Sequence, residues 1–240
     1  MLSQTALLNH LKSEGCPISR RQLELFRKWG IVPEPVDGRY PEEAVGRVKF
    51  AHDLAKQGVR FLARRVLLMY VGPYEVAPEK TLEALRRLSR EMHRKQPRRK
   101  LKIVARVLEG MARYNLQSLS KSYGPLVRRT GPSWVDVARR LDVRKWRTLI
   151  DRADPEDLNS ESFGFLRYTL SWAMCLPEWK ERLQEIPAEE RLLLLFVLWL
   201  EREKKGSPRS RSTSQRAGPH SGTQEVIPHA TERIPPGASP

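Results

Sequence analysis

Apolar positions along most of the chain recur three and four residues apart, and no alternating strand pattern of useful length occurs. Leu7, Leu8 and Leu11 share one face of a helix predicted over 4–13, which Ser3 caps and Gly15 and Pro17 stop. Ser19 caps a second helix over 20–29, with Leu23 and Phe26 on its apolar face. Gly30 comes next, at the position where a left-handed backbone suits glycine best. Pro33, Pro35 and Gly38 mark an extended corner, read as a turn that can carry a small β-wing. Pro41 opens a third helix, with Glu42 and Glu43 against its dipole and a stripe of Ala44, Val45, Val48, Ala51, His52 and Ala55. Gly58 ends it, and a fourth helix over 60–71 stops at Gly72-Pro73.

The same periodicity predicts helices at 79–95, 101–114, 133–140, 144–152, 161–175 and 188–204, with Gly-Pro pairs at 124–125 and 131–132 between them. Within 79–95, Leu82, Leu85, Leu88 and Met92 form a narrow seam of the coiled-coil kind, a candidate homodimer contact. The helix at 188–204 is apolar all round through "LLLLFVLWL", so it must be buried, in the chain's own core rather than between subunits. Those nine apolar residues are too few for a bilayer, which needs about 20. From Gly206 onward the chain holds six Pro, six Ser, four Gly and no aromatics, a composition that predicts a disordered tail over 206–240. The expected fold is all-α apart from the wing: an N-terminal domain over 1–72, a helical domain over 73–205 and the tail.

Charge adds a direction to this plan. The 240 residues carry a formal net charge of +16, which favours a polyanionic partner, nucleic acid before an acidic membrane surface. The excess is concentrated. Residues 51–150 hold 24 basic and 8 acidic side chains, whereas 151–200 hold 5 and 10. The densest run is "RKQPRRKLK" at 94–102, where Arg98, Arg99 and Lys100 are candidate phosphate contacts within a basic element spanning 86–106. The two cysteines, Cys16 and Cys175, stand far apart and imply neither a disulfide framework nor a metal motif, and Cys175 reads as a core residue. A reducing cytoplasm is the expected compartment. The N-terminal stretch lacks a signal-peptide pattern.

The first two helices and the tight turn between them form a helix-turn-helix layout. A short helix bearing Arg20, Arg21, Gln22, Arg27 and Lys28 fits a major groove, its early residues reaching base edges and its flanking cations meeting phosphates. An ordinary antiparallel helix pair with a solvated outer face fits the same residues. The next stretch of chain, "GIVPEPVDGRYPEEAV", favours the first reading. From Ser19 through Gly30, Ile31 and Pro33 to Arg39, Tyr40, Glu42, Glu43 and Gly58, residues 1–72 resemble the MerR-type winged helix-turn-helix family. The resemblance implies double-stranded DNA as partner, a recognition helix over 20–29, and a wing whose Arg39 meets phosphate beside a packed or phosphate-facing Tyr40. It also implies a two-fold dimer through a helix after the winged domain, for which 79–95 is the candidate. Glu24 and Leu25 stand where the family carries a DNA-facing Arg and Tyr, and Arg39 directly precedes Tyr40 instead of lying one residue further away.

A second helix-turn-helix pattern spans 133–153, with Arg144, Lys145 and Arg147 facing outward, although two core helices with basic outer faces fit it better. No nucleophile elbow, phosphate loop or metal-spaced histidine pair is present, so the expectation is a non-enzymatic protein with no metal, cofactor or catalytic residues. The reading is a DNA-binding transcriptional regulator of unknown effector. The alternative is an architectural or mobile-element accessory protein that binds nucleic acid without sequence preference.

Overall fold

Each of the first three helices is fixed at its ends by local chemistry. In the computed structural model, which describes residues 1–92, 97–123 and 133–206, α1 runs Gln4–Ser13, α2 Arg20–Lys28 and α3 Glu43–Lys56. Ser3 Oγ accepts the Ala6 amide at the start of α1. At the start of α2, Ser19 and Gln22 exchange bonds. The Gln22 amide donates to Ser19 Oγ, and the Ser19 amide donates to Gln22 Oε1 at 2.8 Å. At the far end Gly30, at φ 70°, lets the Ile31 amide reach back to the Phe26 carbonyl and its own amide reach Arg27. The same pair of reversed bonds closes α1 at Gly15 and α3 at Gly58. These boundaries lie within two residues of those expected from the caps and glycines.

The corner between α2 and α3 is a hairpin. Asp37 and Gly38 both take positive φ, 50° and 72°, and the backbones of Val36 and Arg39 exchange two hydrogen bonds of 2.9 Å. Two consecutive left-handed residues in a two-residue loop are what a right-twisted hairpin needs, and Asp-Gly supplies them. Arg39–Tyr40 form strand β2, which pairs antiparallel with β1, Leu2–Ser3, with Leu2 opposite Tyr40 and Ser3 opposite Arg39. The partner strand was not expected, since residues 1–3 read only as a helix lead-in. The corner is thus a two-stranded ribbon pairing Arg39–Tyr40 with Leu2–Ser3.

The remaining helices among the described residues are α4 Leu62–Val71, α5 Pro78–Met92, α6 Pro97–Tyr123, α7 Trp134–Arg140, α8 Val143–Asp151, α9 Glu161–Ala173, α10 Pro177–Gln184 and α11 Ala188–Gly206, with a 3-10 turn at Pro155–Asn159. Among the described residues the fold is mostly helical, with only the two-stranded ribbon besides, as expected. No described helix is long and apolar enough to cross a membrane. The Gly-Pro pairs at 124–125 and 131–132, the basic residues Arg94 and Lys95, and the tail after Gly206 lie outside the described residues.

α11 is the axis of the core. Every residue from Leu192 to Leu200 is at most 5% exposed, and the helix packs against α4, α6, α7, α8 and α9. Phe196 and Trp199 on α11 meet Phe163 of α9, with ring centroids 5.1 and 5.5 Å apart. The apolar run is consumed within the chain, as its all-round pattern indicated.

Two expectations are corrected. The Leu82, Leu85, Leu88 and Met92 seam is at most 1% exposed, packed against α4 and α8, so it is not an open face for a second subunit. The boundary drawn after residue 72 does not divide the structure either. α4 lies on α5 and α11, one hydrophobic core continues through both parts, and Met1–Ser207 form one compact unit.

Candidate nucleic-acid interface

The outer face of α2 is set by its cap and its core. Leu23 and Phe26, 0% and 6% exposed, point inward, which turns Arg20, Arg21, Glu24, Leu25 and Lys28 outward. Among the described residues, Arg20, Arg21 and Lys28 enter no ion pair and no side-chain hydrogen bond, and Arg39 presents an equally free guanidinium from the hairpin. Unpaired cations lose little on exchanging water for phosphate, and they bring counterion release with them.

Arg27 joins the helix to the loop that leads into the hairpin. Its Nε and Nη2 atoms lie 3.0 and 2.9 Å from Glu34 Oε2. The nearby Tyr40 hydroxyl, and then Glu34, hold its guanidinium above the ordinary value. Tyr40 itself is 2% exposed, which resolves its role as a packed residue and removes it from the DNA-facing set. Gln22 is exposed, but its carbonyl oxygen is committed to the helix cap. The Ser-x-x-Gln spacing was the signal for that role. Arg27 is thus a brace, and Arg20, Arg21, Lys28 and Arg39 are the groups free to meet an anion.

The basic element at 86–106 divides in the same way. Arg86 donates to the carbonyls of Ile150, Asp151 and Ala153 and so caps the C-terminal end of α8. Arg87 lies over the Trp29 ring at 5.2 Å. Lys100 turns inward to Glu190, 2.5 Å away and 3% exposed, and is withdrawn as a phosphate contact because it neutralises a buried carboxylate. Arg98 and Arg99 are exposed, Arg99 facing Glu185 at 3.6 Å. They belong to α6, which packs on α7, α9, α10 and α11, so they sit with a different set of helices from α2 and the hairpin.

The pattern at 133–153 resolves into two core helices. Trp134, Val137, Ala138, Leu141, Trp146, Leu149 and Ile150 are buried, and Lys145 is bound to the buried Glu201 at 2.7 Å. Only Leu141 and Asp142 separate α7 from α8. Cys175 is exposed rather than in the core, because α9 ends at Ala173 and leaves it in the turn before α10. Cys16 is buried, its Sγ 3.5 Å from His52 Nδ1.

Comparison with known proteins yields no match to this chain, whether among family models, curated proteins or solved structures.

Proposed function

We propose that the chain binds double-stranded DNA through α2 and the 36–39 hairpin, and that it acts as a transcriptional regulator of the winged helix-turn-helix kind that residues 1–72 resemble. One observation carries the reading: Arg20, Arg21, Lys28 and Arg39, cations of α2 and of the hairpin tip with no ion-pair partner among the described residues, are borne on two elements that Arg27 links through its ion pair with Glu34. A helix with one buried stripe can lie in a major groove while the hairpin reaches the adjoining backbone. Arg98 and Arg99 add phosphate contacts only where the DNA path extends to α6.

A second reading, binding without sequence preference, is supported by Glu24 and by Leu25, which is 42% exposed. Neither offers the donor fork that recognises guanine or adenine edges. Gel-shift titration of the best sequence selected from a random pool, against unlabelled random duplex, separates the two. Competition by random DNA equal to that by the selected site overturns the regulator reading. Loss of all DNA binding in an Arg20→Ala, Arg21→Ala protein is the expected result for either.

A further inference from the structure

Beside the loop joining α3 to α4 lies a cleft of 740 Å³ that neither the helix face nor the hairpin uses. Its lining includes Arg60, Phe61, Arg64, Arg87 and Arg90, opposed by Glu91 and Glu189. Arg64 holds both of those glutamates, at 3.5 and 2.8 Å, so the acids are already matched from within. Arg60, Arg87 and Arg90 make no ion pair among the described residues. Three arginines lining one recess attract an anion, whose entry relieves their mutual repulsion. In the same lining Phe61 stands 59% exposed, an aromatic face with no aromatic neighbour among the described residues.

The loop that carries two of these groups is held rigidly. Arg65 donates from Nε to the Val59 carbonyl at 2.8 Å and from Nη2 to the Arg60 carbonyl at 3.4 Å. Phe61 precedes α4 without a side-chain cap, and no acid occupies the first turn of that helix. On α5, Arg87 and Arg90 lie one turn apart and so share a face. Arg87 lines the cleft while its guanidinium plane covers Trp29, the residue that ends α2.

We infer that this cleft is a binding site for a free nucleoside phosphate, its phosphates held by Arg60, Arg87 and Arg90 and its base stacked on Phe61. Arginine forks match phosphate oxygens two at a time, and a planar base matches an exposed ring. The volume falls within the roughly 300–1,000 Å³ typical of small-molecule sites, which favours a free nucleotide over a nucleic-acid strand. Phe61 and the three arginines lie outside the DNA-facing set, so the site stands whether or not α2 binds DNA.

Isothermal titration of the full chain with adenosine, guanosine, cytidine and uridine 5′-diphosphates, with pyrophosphate and with an oligothymidylate tests the inference. At least one nucleoside diphosphate binds. Arg60→Ala and Arg90→Ala each weaken it, and pyrophosphate with it, about tenfold. Phe61→Ala weakens the nucleotide but leaves pyrophosphate unchanged. The Arg20→Ala, Arg21→Ala protein binds the nucleotide like the parent, which separates this result from any failure of DNA binding. Circular dichroism confirms that each variant is folded, and Arg90→Lys, which keeps the charge, recovers part of the affinity. Absence of heat with all four nucleotides overturns the site. So does undiminished affinity in the folded Arg60→Ala, Arg90→Ala double variant, or binding of the oligothymidylate alone.

Discussion

Arg64 on α4 donates to the Glu189 carboxylate on α11 at 2.8 Å, across 125 residues of sequence, with the Glu189 side chain only 7% exposed. The same guanidinium lies 3.5 Å from Glu91 and 3.7 Å from Glu190, while Lys100 takes the other side of Glu190. Three carboxylates and two cations thus join four helices. Removing one partner of a buried pair strands the other's charge. Arg64→Met should therefore lower unfolding free energy by about 3 kcal/mol in urea titration, and adding Glu189→Gln should recover part of the loss. An Arg64→Met protein as stable as the parent would sink the idea that this network holds α4 to α11.

The Ser19–Gln22 exchange makes a separate, local prediction. Ser19→Ala removes the acceptor for the Gln22 amide and should cost about 1 kcal/mol in thermal or urea unfolding. Gln22→Ala should cost less than that and should leave DNA affinity close to the parent's, because the carbonyl of Gln22 serves the cap. A large, sequence-selective loss of DNA binding in Gln22→Ala would return that residue to the interface.

At the hairpin, a methyl group on Gly38 would meet only open space, but the residue sits at φ 72°. Gly38→Ala should thus destabilise by about 1 kcal/mol through backbone conformation alone. Asp37→Asn, which tolerates the left-handed region, should be nearly neutral. On the same turn, Arg39→Ala should leave stability unchanged and reduce the slope of log affinity against log salt by about one unit on every duplex. An unaltered slope would place Arg39 outside the interface.

Tyr70 predicts an alkaline limb. Its hydroxyl donates to the Leu158 carbonyl at 3.3 Å, and burial pushes its ionisation above the ordinary 10.0, the Arg167 guanidinium opposing this in part. A folded value above the unfolded one means that the contribution is complete below pH 10.0 and fades as pH rises through the folded value. Stability should fall with pH on that side, and Tyr70→Phe should flatten the fall while losing the one hydrogen bond. A Tyr70→Phe protein with the parent's alkaline limb would assign that limb to other groups.

What could be read from sequence was what local chemistry decides. Ser3, Ser19, Gly15, Gly30 and Gly58 each fix a helix end through bonds within a few residues, and the predicted ends lie close to the observed ones. Asp37-Gly38 was an equally local signal for a tight hairpin, and its full meaning, a second strand at Leu2–Ser3, needed pairing across 38 residues. α10 opens with Pro177 and Glu178, the usual start signals, but its only buried residue is Leu183, too little periodicity to declare itself. Partner choice was illegible. The Leu82–Met92 seam looks the same whether it meets another chain or α4 and α8. Lys100 and Arg98 are alike in a run of cations, and only the arrival of Glu190, 90 residues on, turns the first inward.

The placement of α11 has a consequence for synthesis. When the ribosome reaches Ala188, the ten described α-helices before it have already been made, yet α4, α6 and α8 still lack the apolar surface of Leu192–Leu200. Arg64, Lys100 and Lys145 likewise await Glu189, Glu190 and Glu201. At about 5–20 residues per second, α11 takes on the order of seconds to emerge. During that interval the nascent body exposes an apolar trough ringed by cations whose α11 partners have not yet been made. A chain cut short before residue 188 would keep that trough open, and should be drawn to chaperones and anionic surfaces until degraded.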